Sequence, residues 1–154
     1  MVNFAEALNT KAGDIERPPL VPVGHYRVLS EKVPALDSVA DGKYDIVDFQ
    51  LKVLEALEDV DADELAEFGS IADARLRRRF MFDTEDESNF KRSLYNLKRF
   101  LLEHLQVDGN DKTDLKELLN NSINQECIAQ VRWTTDKRDG ETQYAEVGRT
   151  APVE

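Results

Sequence analysis

The chain has 154 residues, a formal charge of −11 and a single cysteine. This length fits one domain with one core, and the apolar and charged fractions exclude a disordered chain. No apolar run is long enough to cross a bilayer, the first residues lack a signal-peptide pattern, and Cys127 has no partner for an internal disulfide. We therefore expect an intracellular protein in which Cys127 is a buried side chain.

The charge is unevenly distributed along the chain. Residues 1–70 carry 15 acids and 6 bases, and residues 106–154 carry 10 acids and 6 bases. Residues 71–105 carry 6 acids and 8 bases, a net charge of +2. An acidic protein binds nucleic acid poorly unless its bases are gathered in one place, so the middle segment is the candidate for such a site.

The first twenty residues predict an extended arm, because Pro18 and Pro19 disfavour regular structure. Beyond the arm, alternating apolar and polar residues predict strands with one wet face. Residues 34–43 read as a long turn with Asp41-Gly42 as its strongest signal, and residues 61–68 as a short helix or part of a mobile loop. The predicted strands are residues 22–33, 44–57, 75–83, 126–135 and 142–150.

A long helix is predicted over residues 83–107, since Phe90, Leu94, Leu97 and other apolar residues recur at helical spacing. Acids come early in this helix and bases later, as the helix dipole favours. A second helix is predicted over residues 113–122. In the strand before the long helix, Arg78 interrupts the alternation, which indicates a bulge or the strand's edge.

The order strand, strand, strand, helix, strand, strand is that of the OB-fold, a five-stranded Greek-key barrel. The alternative is a half-open α+β sheet with both helices on one face. We predict a mainly β fold divided into an arm (1–20), an OB-fold domain (21–150) and a short tail (151–154).

Five pieces of the chain carry a resemblance to a known family: "PVGHYRVLSEKV", "FQLKV", "RRRFMFD", "NFKRSLYNLKRFLLEHL" and "YAEVGRTAPVE". In order and spacing they resemble small OB-fold proteins known mostly from bacteriophage genomes, described as single-stranded-DNA-binding proteins or as a domain of unknown function. The resemblance implies a protein that coats unpaired DNA during phage replication or recombination, in the cytoplasm of the bacterial host. Proteins of this role often form homodimers, and Phe4 and Leu8 of the arm are candidates for that contact.

Single-strand binding needs a positive groove for the phosphates and flat side chains for stacking bases. The third predicted strand supplies arginines next to phenylalanines, and OB-folds bind ligands across strands two and three with help from adjoining loops. Phe80 shares parity with Leu76 and is more readily a core residue than a stacking platform. The candidate nucleic-acid-binding residues are Arg27, Lys52, Arg75, Arg77, Arg79, Phe80, Arg132, Trp133, Lys137, Arg138 and Tyr144.

Two other interpretations stay open. The arginines can simply pair with the acids of the same chain. The acidic residues 58–67 can also dock on a basic replication or recombination enzyme, which makes the chain a protein-interaction module.

Enzymatic chemistry has little support in the sequence. His25 and His104 are the only histidines, and no Cys/His spacing fits a metal site. Glycine-rich phosphate loops are missing, and the acids Asp59, Asp61 and Asp63 lack the glycine of a calcium loop. We expect no enzyme, no cofactor and no bound metal.

Overall fold

The computed structural model describes residues 3–153. Met1 and Val2 of the predicted arm and Glu154 of the predicted tail lie outside them. The described chain is mainly β, with six antiparallel strands in one sheet and four α-helices. The strands are β1 (Gly24–Ser30), β2 (Ala35–Val39), β3 (Tyr44–Ala56), β4 (Arg75–Asp83), β5 (Glu126–Thr135) and β6 (Gln143–Ala151), and the helices are α1 (Phe4–Ala7), α2 (Ala62–Phe68), α3 (Glu87–Arg99) and α4 (Leu115–Asn120).

The sheet is organised around β3, the longest strand. The first part of β3 pairs with β2, the last part with β1, and most of its length pairs with β4 on the other side. Beyond β1 the order continues with β5 and then β6. This arrangement places the outward-facing side chains of β3 and β4 next to one another, with Asp48 opposite Arg79 and Gln50 opposite Arg77.

The strand β2 is absent from the sequence prediction, which assigned a long turn to residues 34–43. Every residue of β2 is exposed, so the segment lacks the apolar alternation that predicts a strand. It is a strand because Ala35 to Val39 pair with Asp48 to Tyr44 of β3, and the turn is confined to the residues between them. In that turn Ala40, Asp41 and Gly42 all have positive φ.

The sheet is not closed into a barrel. Across residues 3–153, β4 forms a ladder only with β3, and β6 forms one only with β5. The facing edges of β4 and β6 lie near each other without pairing. We call this gap the seam. The pairing of β3 with β4 runs without interruption through Arg78, so the predicted bulge at Arg78 is wrong.

The core lies between the inward-facing side chains of the sheet and the long helix. Phe49 of β3, Phe80 of β4 and Phe100 at the end of α3 pack ring to ring with centroids 4.9–5.9 Å apart. Aromatic contacts of this geometry add about 0.5–1.5 kcal/mol each to the effect of burial. Cys127 is buried in the same core, as the sequence predicts.

The helices begin at side-chain caps that the sequence supplies. Asp61 accepts hydrogen bonds from the backbone of Asp63 and Glu64, so the short helix predicted in the acidic segment is confirmed as α2. Asp86 caps α3 in the same way. The long helix predicted over residues 83–107 is shorter in the structure. Its α-helical part, α3, ends at Arg99, and one π-helical turn, Phe100–His104, follows. No helix among residues 3–153 is both long and apolar enough to cross a membrane.

The N-terminal arm is exposed up to Pro19, and its end is fastened to the sheet. The indole N–H of Trp133 donates to the Val21 carbonyl at 2.8 Å, and the Tyr26 hydroxyl donates to the Pro22 carbonyl at 2.6 Å. The Arg17 guanidinium also donates to the Gln143 carbonyl at the start of β6. These contacts hold Pro19, Leu20 and Val21 beside the seam.

Candidate functional site

A cleft of about 1050 Å³ opens at the seam and over the outer face of β3 and β4. Its floor comes from alternating residues of these two strands, and its walls come from the end of the arm, the end of α2 and the start of β6. A cleft of this size is the default place to look for a ligand. Its lining includes Lys32, Asp48, Gln50, Phe68, Arg75, Arg77, Arg78, Arg79, Met81, Tyr144 and Glu146.

The cleft is positive although the molecule is acidic. Five bases and two acids line it, which gives a formal charge of +3 in a chain of charge −11. The bases collect here because β4 places Arg75, Arg77 and Arg79 on its outer face by strand alternation, while Arg78 extends from the opposite face at the seam. Three of the predicted candidates, Arg75, Arg77 and Arg79, therefore lie together on one face of β4.

Asp48 is the central acid of the cleft. One oxygen of its carboxylate lies 3.3 Å from Nε of Arg77 and 3.2 Å from Nη2 of Arg79. The other oxygen is buried without a hydrogen-bond partner among the described residues. Two guanidinium groups thus share one carboxylate, and the trio keeps a net charge of +1.

Arg75 is held at the other end of the strand by a second acid. Its Nε lies 2.7 Å from Glu31, which also accepts a hydrogen bond from Gln50 at 2.8 Å. All these pairs reach solvent, and exposed ion pairs contribute only about 0–1 kcal/mol. The carboxylates therefore orient the arginines, and a competing anion can displace them at a low cost in free energy.

The remaining predicted bases do not line the cleft. Arg27 forms ion pairs with Glu55 at 3.0 Å and Glu126 at 2.5 Å, which raise its pKa. The other pairs are Lys52 with Asp73, Arg132 with Glu146 and Arg138 with Asp136. Lys137 is exposed in the β5–β6 turn. Arg27, Lys52 and Arg132 thus lie outside the cleft that Arg77 and Arg79 line.

The predicted aromatic residues have different environments. Phe80 is only 4% exposed and packs in the core, so its proposed stacking role is wrong, and the core interpretation is confirmed. Trp133 is 39% exposed, but its indole is fixed to the arm and does not line the cleft. Tyr144 is 41% exposed and lines the cleft, which makes it the one predicted aromatic that faces the site.

Several residues of the cleft were not predicted from the sequence. Arg78 was left out of the candidate set, although its charge at an inward position of an apolar strand was a usable signal. Met81 was also left out, although strand alternation places it on the same face of β4 as Arg77 and Arg79. Lys32 and Phe68 gave no such signal, because only the packing of distant segments brings them to the cleft.

Two further titratable groups, Cys127 and His104, are buried or partly buried. Burial raises the pKa of the Cys127 thiol to about 12, which keeps it protonated and unreactive at neutral pH. The His104 imidazole lies 2.6 Å from the Thr150 hydroxyl, and burial, with Arg99 nearby, lowers its pKa. No group of three or more potential metal ligands occurs within residues 3–153.

No protein-family model matches this chain, and no curated protein matches its sequence.

Proposed function

We propose that the protein binds single-stranded DNA in the cleft without catalysing a reaction. The observation that carries the proposal is the formal charge of +3 in the cleft of a molecule of charge −11. Four of the five bases that line the cleft lie on one strand, β4, and such a row of positive charges suits a ligand with regularly spaced phosphates. The acidic remainder of the surface repels the same ligand, so binding is confined to the cleft.

The strand connectivity supports an OB-fold as the framework of this proposal. In the described chain, β3 pairs with both β1 and β2, β5 returns to pair with β1, and helices separate β4 from β5. We propose that this order is the connectivity of an OB-fold whose first strand is broken in two and whose seam is unpaired. OB-folds bind oligonucleotides on the strands that correspond here to β3 and β4, where the cleft lies.

Binding would proceed by exchange of anions. A phosphate group that approaches Arg77 and Arg79 competes with Asp48, whose exposed pairs are weak, and the surplus guanidinium charge favours the phosphate. Tyr144 offers a ring for one base, a contact worth about 1–3 kcal/mol. The expected ligand is bound with little sequence preference, as the implied role in phage replication or recombination requires.

The test is fluorescence anisotropy with labelled oligothymidine at 50 and 200 mM salt. Wild type should bind at low salt and weaken about tenfold or more at the higher salt, because several phosphates release counterions. The double variant Arg77→Glu, Arg79→Glu should lose most of the affinity. The matched control Lys112→Glu, Lys116→Glu, which changes charge equally away from the cleft, should bind like wild type. No binding by wild type at low salt would overturn the proposal.

A second function is favoured by the distribution of ion pairs. Most of the predicted bases are paired with carboxylates, whereas the acids of α2 have no basic partner among the described residues. On this alternative, α2 docks on a basic protein that acts in replication or recombination. It predicts no affinity for oligothymidine and stable co-purification with a partner. The same titration separates the two functions.

A further inference from the structure

Arg78 occupies an unusual position among the arginines of β4. Strand alternation turns Arg75, Arg77 and Arg79 outward, whereas Arg78 points inward with Leu76 and Phe80. Because β4 and β6 are unpaired at the seam, this inward side chain still lines the cleft. Arg78 is therefore half-buried at the point where the cleft reaches into the sheet.

The guanidinium group of Arg78 has no carboxylate partner within residues 3–153, unlike its three neighbours. Its Cζ lies 4.2 Å from the centroid of the Phe80 ring, and Nη1 donates to the Arg79 carbonyl at 3.2 Å. Nε is buried and has no hydrogen-bond partner. The nearby titratable groups are the Cys127 thiol and the His104 imidazole, neither of which is an anion at neutral pH.

A cation that is partly removed from water without an anion is costly, and an arginine keeps its charge in such a place. Phe80 compensates part of this cost by a cation–π contact. An incoming phosphate would supply the missing anion, since a guanidinium group binds two phosphate oxygens at once. Unlike the buried Nε, Nη2 reaches solvent and has no hydrogen-bond partner among the described residues.

We infer that Arg78 is the anchor of the site: it binds one phosphate group of the strand at the seam, between β4 and β6. The inference rests on the proposed function and names the residue on which affinity depends most. The charge of Arg75, Arg77 and Arg79 is partly neutralised by a neighbouring carboxylate, whereas Arg78 has no carboxylate partner among the described residues. A purely structural role is the competing explanation, because inward charges protect free strand edges from aggregation.

The first measurement compares oligothymidine binding by Arg78→Gln, Arg78→Lys and the control Arg92→Gln, whose arginine is exposed on α3 outside the cleft. We expect Arg78→Gln to weaken binding about tenfold, the loss of a charged hydrogen bond. Arg78→Lys should recover only part of it, because an ammonium group is not bidentate. The control should bind like wild type. Thermal melting of each variant detects a structural role, which would lower the melting temperature and leave the affinity unchanged.

The second measurement follows the arginine Nε–H signals of the wild-type protein by NMR during titration with inorganic phosphate. The Nε–H signal that is missing from Arg78→Lys should shift to saturation. If this signal shifts but oligothymidine does not bind, the anion site stands and the proposed function is overturned. If oligothymidine binds equally to wild type and Arg78→Gln, the function stands and the inference is overturned. If neither ligand has an effect, both are overturned. If Arg78→Gln does not fold, the phosphate titration of the wild type and the oligothymidine affinity of Arg78→Lys still test the inference.

Discussion

Asp48 is the residue that sets how much of the positive charge in the cleft is free. Its carboxylate forms ion pairs with both Arg77 and Arg79, and it comes from β3, the strand directly opposite them. The pair therefore holds the two guanidinium groups in place and also competes with any phosphate. Removing the carboxylate separates these two effects.

We predict that Asp48→Asn increases the affinity for oligothymidine. A charge 4 Å from a phosphate contributes about 1 kcal/mol in water, so the gain should be about fivefold. Asp45→Asn is the matched control, because Asp45 is an exposed acid of the same strand outside the cleft. The measurement is anisotropy at 50 mM salt. Weaker binding by Asp48→Asn would show that Asp48 contributes to the site by orienting the arginines rather than by opposing the ligand.

At the scale of the elements, the start of β1 depends on one glycine. Gly24 has a φ of +143°, and a Cβ atom at this position would lie 2.5 Å from Cγ2 of Val60 and 3.2 Å from its Cα. The chain before α2 therefore packs directly against the backbone where β1 begins. This contact holds the start of β1 in place, and with it the end of the arm, which forms one wall of the cleft.

Gly24→Ala should destabilise the protein by about 2–5 kcal/mol, since backbone strain and overpacking add. Gly42 has a φ of +87°, but a Cβ atom there would meet no atom within 4 Å. Gly42→Ala should therefore lower the free energy of unfolding only through backbone strain, by about 1 kcal/mol. Gly13→Ala has neither feature and should be neutral. Urea denaturation measures all three. Equal losses for Gly24→Ala and Gly42→Ala would refute the contact with Val60.

For the whole molecule, the decisive quantity is the contrast between a positive cleft and a negative surface. The acids of α2 contribute to that surface, and Phe68 at the end of α2 lines the cleft. Negative charge near the entrance repels an approaching polyanion at low salt. The overall charge should therefore control the rate of association more than the affinity.

Neutralising α2 with Asp63→Asn, Glu64→Gln and Glu67→Gln should speed the association of oligothymidine about threefold at 20 mM salt, and the difference should vanish at 300 mM. Stopped-flow fluorescence gives these rates. A matched variant removes three exposed acids elsewhere and should have a smaller effect: Glu85→Gln, Asp108→Asn and Glu117→Gln. Identical rates for both variants and wild type would contradict the prediction.

The sequence by itself determined most of the elements and one part of the site. Alternation in β3, β4 and β5 and the apolar spacing of α3 are local patterns, so they predicted these elements and the outward arginines of β4. The same alternation marked Arg78 as an exception. These features were readable because the side-chain period of a strand or helix depends only on neighbours in the chain.

Only the tertiary structure decided which acids meet which bases, where the sheet stays open, and that residues 35–39 form a strand. Asp48 is 31 residues from Arg79, and Glu31 is further still from Arg75. β2 has no buried residue and exists only through its pairing with β3. The physical reason is the same in each case: these features are contacts between distant segments, and their energies are not contained in any local pattern.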